Sequence, residues 1–420
     1  MSAVTADSLQ PRAPLKALDE ALAELLAAAR PLGDVKRVAT FDANGRVLAG
    51  DIVSALQVPP NDNSSMDGYA LRCEDVSQVG TELPLTQRIA AGSSGQALQA
   101  GSVARIFTGA PIPPGADAVV MQEDCTLVSG SSEQGTVRVN VMPQPGQWIR
   151  RAGEDVTQGA SVLSKGKRLT PAELGLAASI GMATLEVARA PKVALFSTGD
   201  ELVMPGEVAP ADMKPGAIYN SNRFFLRALL QGLGCEVTDF GIVPDRRDAT
   251  IAALQNASAQ HDLILTSGGV SVGEEDHIKP AVQALGELNL WQIAMKPGKP
   301  FAHGRVGAAH FIGLPGNPVS SFVTFLLLVR PFVLKLQGVA DVATKPMPVT
   351  AHFDWRKADK RREFLRVRRN AEGGLDLFPN QSSGVLTSAV WGDGLVDTPP
   401  GQTIAHGDVV QFLAFSDLLS

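Results

Sequence analysis

Between Pro191 and Leu336 the chain alternates strand-like and helix-like segments, and this alternation limits its fold more than any other feature. Residues 193–199 read as a buried strand and 221–233 as a helix. Residues 235–243, 248–259, 262–269 and 276–285 repeat the order, another strand opens at Trp291, and an apolar helix covers about 319–336. Strands alternating with helices pair in parallel, because each crossover returns the chain to the same end of the sheet, and the helices then cover both faces. A parallel α/β unit is expected here.

The flanks read differently. From about Val35 to Ala188, short β-like runs at 102–107, 118–122 and 136–141 are separated by turn clusters at 111–115 and 130–135. After Gly338 the β-like texture returns at 364–368, 384–386 and 409–413, as in a small all-β domain. Leu15, Leu18, Leu22, Leu25 and Leu26 recur at helical spacing and stop at Pro31, which predicts an opening amphipathic helix. At about 150 residues per domain, 420 residues suit two to four domains.

Composition removes several classes. Hydrophobic residues form 45% and charged residues 19% of the chain, so it can bury a core. The 41 glycines and 28 prolines follow no triplet period and imply turns, not collagen. Cys73, Cys125 and Cys235 are far apart and six histidines are scattered, which argues against a disulfide framework or a zinc site. The N-terminus lacks a basic patch followed by an apolar core, and the apolar run 322–329 is broken by Thr324 and ends at Arg330. Neither export nor membrane insertion is expected, and the cytoplasm fits best. A formal charge of −6 disfavours nucleic acid as a partner, so an anionic small ligand needs a local basic site.

In an open parallel sheet, ligands bind beyond the carboxyl ends of the strands. Three loops there carry unusual residues: 197–201 (STGDE), 266–273 (TSGGVSVG) with the acids Glu274, Glu275 and Asp276, and 314–318 (LPGNP). Glycines let the backbone approach phosphate oxygens while Ser and Thr add donors, so a phosphorylated ligand is expected. Lys296-Pro297-Gly298-Lys299-Pro300 adds two cations on a stiff turn. Asp200, Glu201 and Asp276 would repel phosphate unless magnesium lay between them; Asp276 could equally cap a helix. Residues 269–273 also satisfy the G-x-S-x-G nucleophile pattern, with His303, His310, His352 and His406 downstream. Gly268 and the three acids favour a ligand-cradling loop over a hydrolase elbow.

Taken together, residues 63–70 (NSSMDGYA), 108–111 (TGAP), 151–155 (RAGED), 197–202, 267–273, 296–300 and 315–318 resemble the molybdopterin molybdenumtransferase family, the bacterial MoeA type that also includes the E domain of gephyrin. The resemblance runs from the first helix to the C-terminal β region. His277 stands where the family more usually carries an aromatic residue. The resemblance implies a multidomain α/β plus β architecture in an elongated homodimer. Residues 1–50 with 150–188 would form the N-terminal helix and linking domain, 51–149 an inserted β-rich domain, 189–338 a parallel α/β (MogA-like) domain, and 339–420 a C-terminal β-barrel.

The implied activity is insertion of molybdenum from molybdate into adenylylated molybdopterin, with magnesium, releasing AMP and finished cofactor. By motif, Asp67 and Thr108 would reach the site from the partner subunit with Asp155 nearby. Asp200, Glu201 and Asp276 would handle metal and pyrophosphate, helped by Asp245. Lys296 and Lys299 would hold anionic oxygens, and Ser267, Gly268, Gly269, Ser271, Pro315, Gly316, Asn317 and Pro318 would form the cofactor-binding loops. The preceding molybdopterin adenylyltransferase is an implied partner. A carrier that holds pterin without turnover, or a scaffold, stays open as an alternative.

Overall fold

The computed structural model describes residues 15–131, 134–244, 246–269 and 277–419. Its α/β unit is built on one six-stranded sheet in the order Glu236–Val243, Lys192–Thr198, Leu263–Ser267, Ala309–Leu314, Pro300–Val306, Gly286–Gln292. The first four strands pair in parallel, as the alternating sequence predicts. The last two run antiparallel, contrary to an uninterrupted parallel series. Only two residues separate Val306 from Ala309, too few for a crossover, so the chain turns straight back. The expected strand at Trp291 is instead the end of the edge strand Gly286–Gln292.

Helices Asn222–Gly232, Arg247–Gln260 and Ile278–Leu285 lie close to their predicted positions. The helix Pro318–Leu336 is long and apolar enough to cross a membrane, but 89% of that apolar stretch is buried inside the molecule. It is a core helix: Phe325, Leu326, Leu327, Leu328 and Val329, which form a π turn, are all buried, at about 1.5–3 kcal/mol for each large side chain. Helix Leu18–Ala28 lays Leu18, Ala21 and Leu25 into the same core. Phe364, Leu413 and Phe415 of the C-terminal unit join them, so the two units share one apolar core.

Upstream, Val35–Ala39 pairs with Thr184–Ala188 and Ile52–Val53 with Ser161–Leu163, so segments far apart in sequence make one small unit. The chain leaves it at Val58 and returns at Val156, which bridge each other. Between them lies a second six-stranded sheet: Ala118–Met121, Gly68–Leu71, Val103–Ile106, Thr81–Ile89, Gly135–Val139, Cys125–Gly130. In the C-terminal unit, Arg362–Arg369 is central, flanked by Gly394–Thr398 and by Met295–Lys296 from the α/β unit. Val409–Ala414 and Met347–Thr350 continue the sheet; Leu375–Leu377 pairs with Arg362–Arg369 off this path, and a bridge from Ala351 to Leu375 links it to the Met347–Thr350 edge. Residues 384–386 are not a strand; they turn over buried Arg366 into helix Thr387–Trp391.

His303 and His310 stack at 6.2 Å on neighbouring strands, both edge-on to Phe332 of the long helix. Burial, reinforced by the Arg305 cation, pushes both imidazoles down to about 4. The folded state therefore keeps them neutral while the unfolded chain takes up protons below about pH 6.5, so stability falls as pH drops from there toward 4. At pH 5 the loss is about 2 kcal/mol per histidine. Urea midpoints should drop from pH 7 to pH 5, and His310→Phe should flatten that slope; a midpoint independent of pH would sink the argument. Glu173, held down at about 2 by Thr170, titrates below this window.

Candidate functional site

The sheet changes direction between Lys192–Thr198 and Leu263–Ser267: the chain leaves the first strand to one side and comes back to the other. Loops diverge at such a point and leave a crevice. A cleft of about 540 Å³ opens there, walled by Thr198, Glu201, residues 218–222, Ser267, Gly268 and the loop 315–318, with Gly384 contributed by the C-terminal unit.

The glycines of this wall are required. Gly268 and Gly269 have φ of 90° and 68°. A Cβ on Gly268 would stand 2.8 Å from the Thr198 carbonyl oxygen, and one on Gly269 2.6 Å from Ile278. Only glycine lets this loop pass so near its neighbours. Opposite it, Pro318 begins the long helix with Asn317 extended before it; Pro318 has no N–H and Val319 N donates to the Ser383 carbonyl at 2.9 Å, so the first-turn donor on this side of the cleft is the N–H of Ser320, which lines it. Such a helix end favours anions.

Asn222 ties the two loops together. Its buried amide donates to Ser267 Oγ at 2.8 Å and to the Gly316 carbonyl at 2.7 Å. Thr198 Oγ1 and Asn220 Nδ2 are buried at the same wall and have no hydrogen-bond partner among the described residues. Buried polar atoms of this kind cost stability unless something pairs with them.

Glu201 lines the cleft, its carboxylate turned back over Gly199, where a Cβ would come within 2.6 Å of it. Asp200 is exposed beside it. Lys296 Nζ is 2.8 Å from Glu363 and 3.5 Å from Asp359, so this lysine bridges to the C-terminal unit; it is not among the residues that wall the cleft. Lys299 is half-buried next to Pro300, which lines the cleft. Between the lysines Gly298, at φ 114°, leaves room for the Thr324 hydroxyl.

Asp67, Thr108 and Asp155 do not line this cleft; they belong to the β-rich unit. Asp67 Oδ1 accepts from both the Thr108 amide and its hydroxyl, each at 2.8 Å, and these bonds hold the exposed Asp67 carboxyl below its ordinary range. Asp155 is exposed on a turn anchored by Asp62, which accepts from Ala152 N and Arg151 Nη1. Asp245, Ser271 and Asp276 lie outside the described residues, as does most of the G-x-S-x-G match.

Sequence reasoning missed Asn220, Asn222 and Arg366. Asn220 stands just ahead of the expected helix at 221–233 and Asn222 in its first turn, and neither belongs to a motif the sequence singles out. Arg366 is 1% exposed beneath the 382–384 segment. Among the described residues its guanidinium donates to neutral oxygens, those of Phe364, Ser382 and Ser388, and burial, partly offset by the Glu363 carboxylate, pushes it down to about 10. One cation inside the apolar run FLRV was the available signal.

Three family models match in chain order. The MoeA N-terminal region (domain I and II) covers residues 16–181, the probable molybdopterin binding domain 194–335, and the MoeA C-terminal region (domain IV) 348–415. A molybdopterin molybdenumtransferase of Haemophilus influenzae is 45% identical over 326 residues, 77% of this chain and 79% of the relative. One from Nostoc sp. is 36% identical over 385 residues, 88% and 86% of the two chains. The crystal structure of the molybdopterin biosynthesis MoeA protein from Pyrococcus horikoshii superposes with a TM-score of 0.82 at 28% identity, over 96% of this chain and 100% of that one.

Proposed function

The chain belongs to the molybdopterin molybdenumtransferase family and is a transferase of molybdenum cofactor biosynthesis, and from that premise we propose that it inserts molybdenum from molybdate into adenylylated molybdopterin and releases AMP. The observation that carries the reading is the cleft, in which a tight glycine loop, a helix N-terminus and a carboxylate converge, with Lys299 next to the cleft-lining Pro300.

Each part suits one need of the reaction. The tight Gly268 turn leaves room for phosphate oxygens, and the start of the long helix offers them the Ser320 N–H and the positive end of its dipole. Buried Asn222 fixes the spacing of those two loops, and so the position of the phosphoanhydride between them. Lys299 offers positive charge for molybdate, and Arg366, whose own partners are neutral, adds a cationic field behind the 382–384 segment. Bringing two anions together is the main electrostatic obstacle, and these cations oppose it.

Glu201 and Asp200 supply hard oxygen donors that fit magnesium. Among the described residues no cluster of three or more acidic, histidine or cysteine side chains could hold a metal; a magnesium here would draw on these carboxylates and Asp276, with substrate oxygens and water completing its shell. It would neutralise the phosphoanhydride. Asp67 and Thr108, absent from the cleft of their own chain, suit a homodimer in which they serve the partner's cleft. Contact with the adenylyltransferase that makes the substrate would limit loss of a labile anhydride.

The test is molybdate-dependent AMP release from adenylylated molybdopterin by the purified protein. Binding without release would leave a carrier. Asp276→Asn should lower turnover at least about 100-fold with little change in melting temperature, since the substitution removes a charge and keeps the side chain's size. Activity retained at unaltered magnesium dependence would make Asp276 a helix cap.

A further inference from the structure

Beside the Asp67–Thr108 pair, the β-rich sheet carries two arginines on adjacent strands in register, Arg88 opposite Arg105. Both guanidinium groups stack on the ring of Phe107, at 4.6 and 4.7 Å from its centroid, and Arg105 also lies 5.1 Å from that of Tyr69.

The two cations are in different states. Arg105 donates to the Gly68 carbonyl at 3.0 Å and to Gln122 Oε1, so its edges are occupied in holding the turn that follows Asp67. Among the described residues Arg88 is exposed and makes neither a hydrogen bond nor an ion pair; Phe107 alone steadies it. Stacking uses the flat face of a guanidinium and leaves its N–H edges free. An edge of this kind, held at low entropic cost, fits two oxygens of a phosphate. The exposed Asp67 carboxylate would by itself repel such a group; two adjacent guanidinium charges outweigh it.

We propose that Arg88 is a further substrate-contacting residue, which grips a phosphate-type oxyanion of the adenylylated pterin next to Asp67 and Thr108. The assignment rests on the reading above that those two residues face substrate.

Arg88→Gln and Arg88→Lys, made in the full-length protein, test it through two readouts: KM for adenylylated molybdopterin and the affinity for inorganic pyrophosphate by calorimetry. Arg88→Gln should raise KM about tenfold or more, with a smaller change in kcat, and should weaken pyrophosphate binding. Arg88→Lys should recover part of either loss, because it keeps the charge but not the fork. The site is exposed, so melting temperature should hold, which separates contact from folding. If the wild type releases no AMP, the functional reading falls while pyrophosphate affinity still judges Arg88. If neither KM nor pyrophosphate affinity differs between wild type and Arg88→Gln, the assignment is overturned.

Discussion

Asn222→Ala is expected to lose about 100-fold in kcat/KM for AMP release while unfolding only about 1–3 kcal/mol more easily. The amide of Asn222 is the tie between the strand end at Ser267 and the loop at Gly316. Both are walls of the cleft, so removing the tie changes the spacing between groups meant to hold one phosphoanhydride. Displacements of about 1 Å are enough for a loss of that size. Stability suffers less, because the surrounding core of Leu226, Leu230 and Leu265 is untouched. Asn222→Asp should do no better than alanine: a carboxylate accepts hydrogen bonds, and the Gly316 carbonyl would then face an acceptor instead of a donor. AMP-release kinetics and urea denaturation check both variants. Near-normal kcat/KM in Asn222→Ala would show that the loops keep their places without it.

The sequence disclosed the parallel strands and their loops because their signals are local. A buried strand such as Lys192–Thr198 carries a continuous apolar run at its centre, and the paired glycines at 268 and 269 mark a turn that must pass close to its neighbours. The antiparallel edge was not legible, since apolar texture does not give strand direction; the two-residue link after Val306 sets it. Pairings between distant segments are equally silent: nothing around Lys296 announces that it pairs with Glu363, 67 positions later, and crosses between units. Arg366 escaped notice because a lone cation in a β-like run usually points to solvent, whereas here residues 382–388 fold over it. The Asp67–Thr108 contact joins residues 41 apart, and only family motifs, not spacing, set them side by side.

The arrangement also makes a prediction about which subunit supplies what. Asp67 and Thr108 occupy the β-rich unit, while Glu201 lines a cleft to which that unit contributes nothing within the same chain. If the site is completed across a dimer, an inactive Asp67→Ala chain and an inactive Glu201→Ala chain should complement each other. In each mixed dimer one site carries both lesions and the other carries neither. Random exchange makes about half of all dimers mixed, so about a quarter of all sites should regain activity, provided they work independently. If both residues served one site within one chain, every site in every dimer would hold a lesion and no activity would return. Subunit exchange can be followed separately by mass spectrometry of differently tagged chains, so a failure to mix is not mistaken for a failure to complement. Verified mixed dimers without recovered AMP release would place Asp67 in its own chain's site, or reduce its bonds with Thr108 to a structural turn. Recovery near a quarter would require the β-rich unit of one subunit to reach the cleft of the other, and with it Arg88 and Phe107, which stand on the same sheet face as the Asp67 turn they flank.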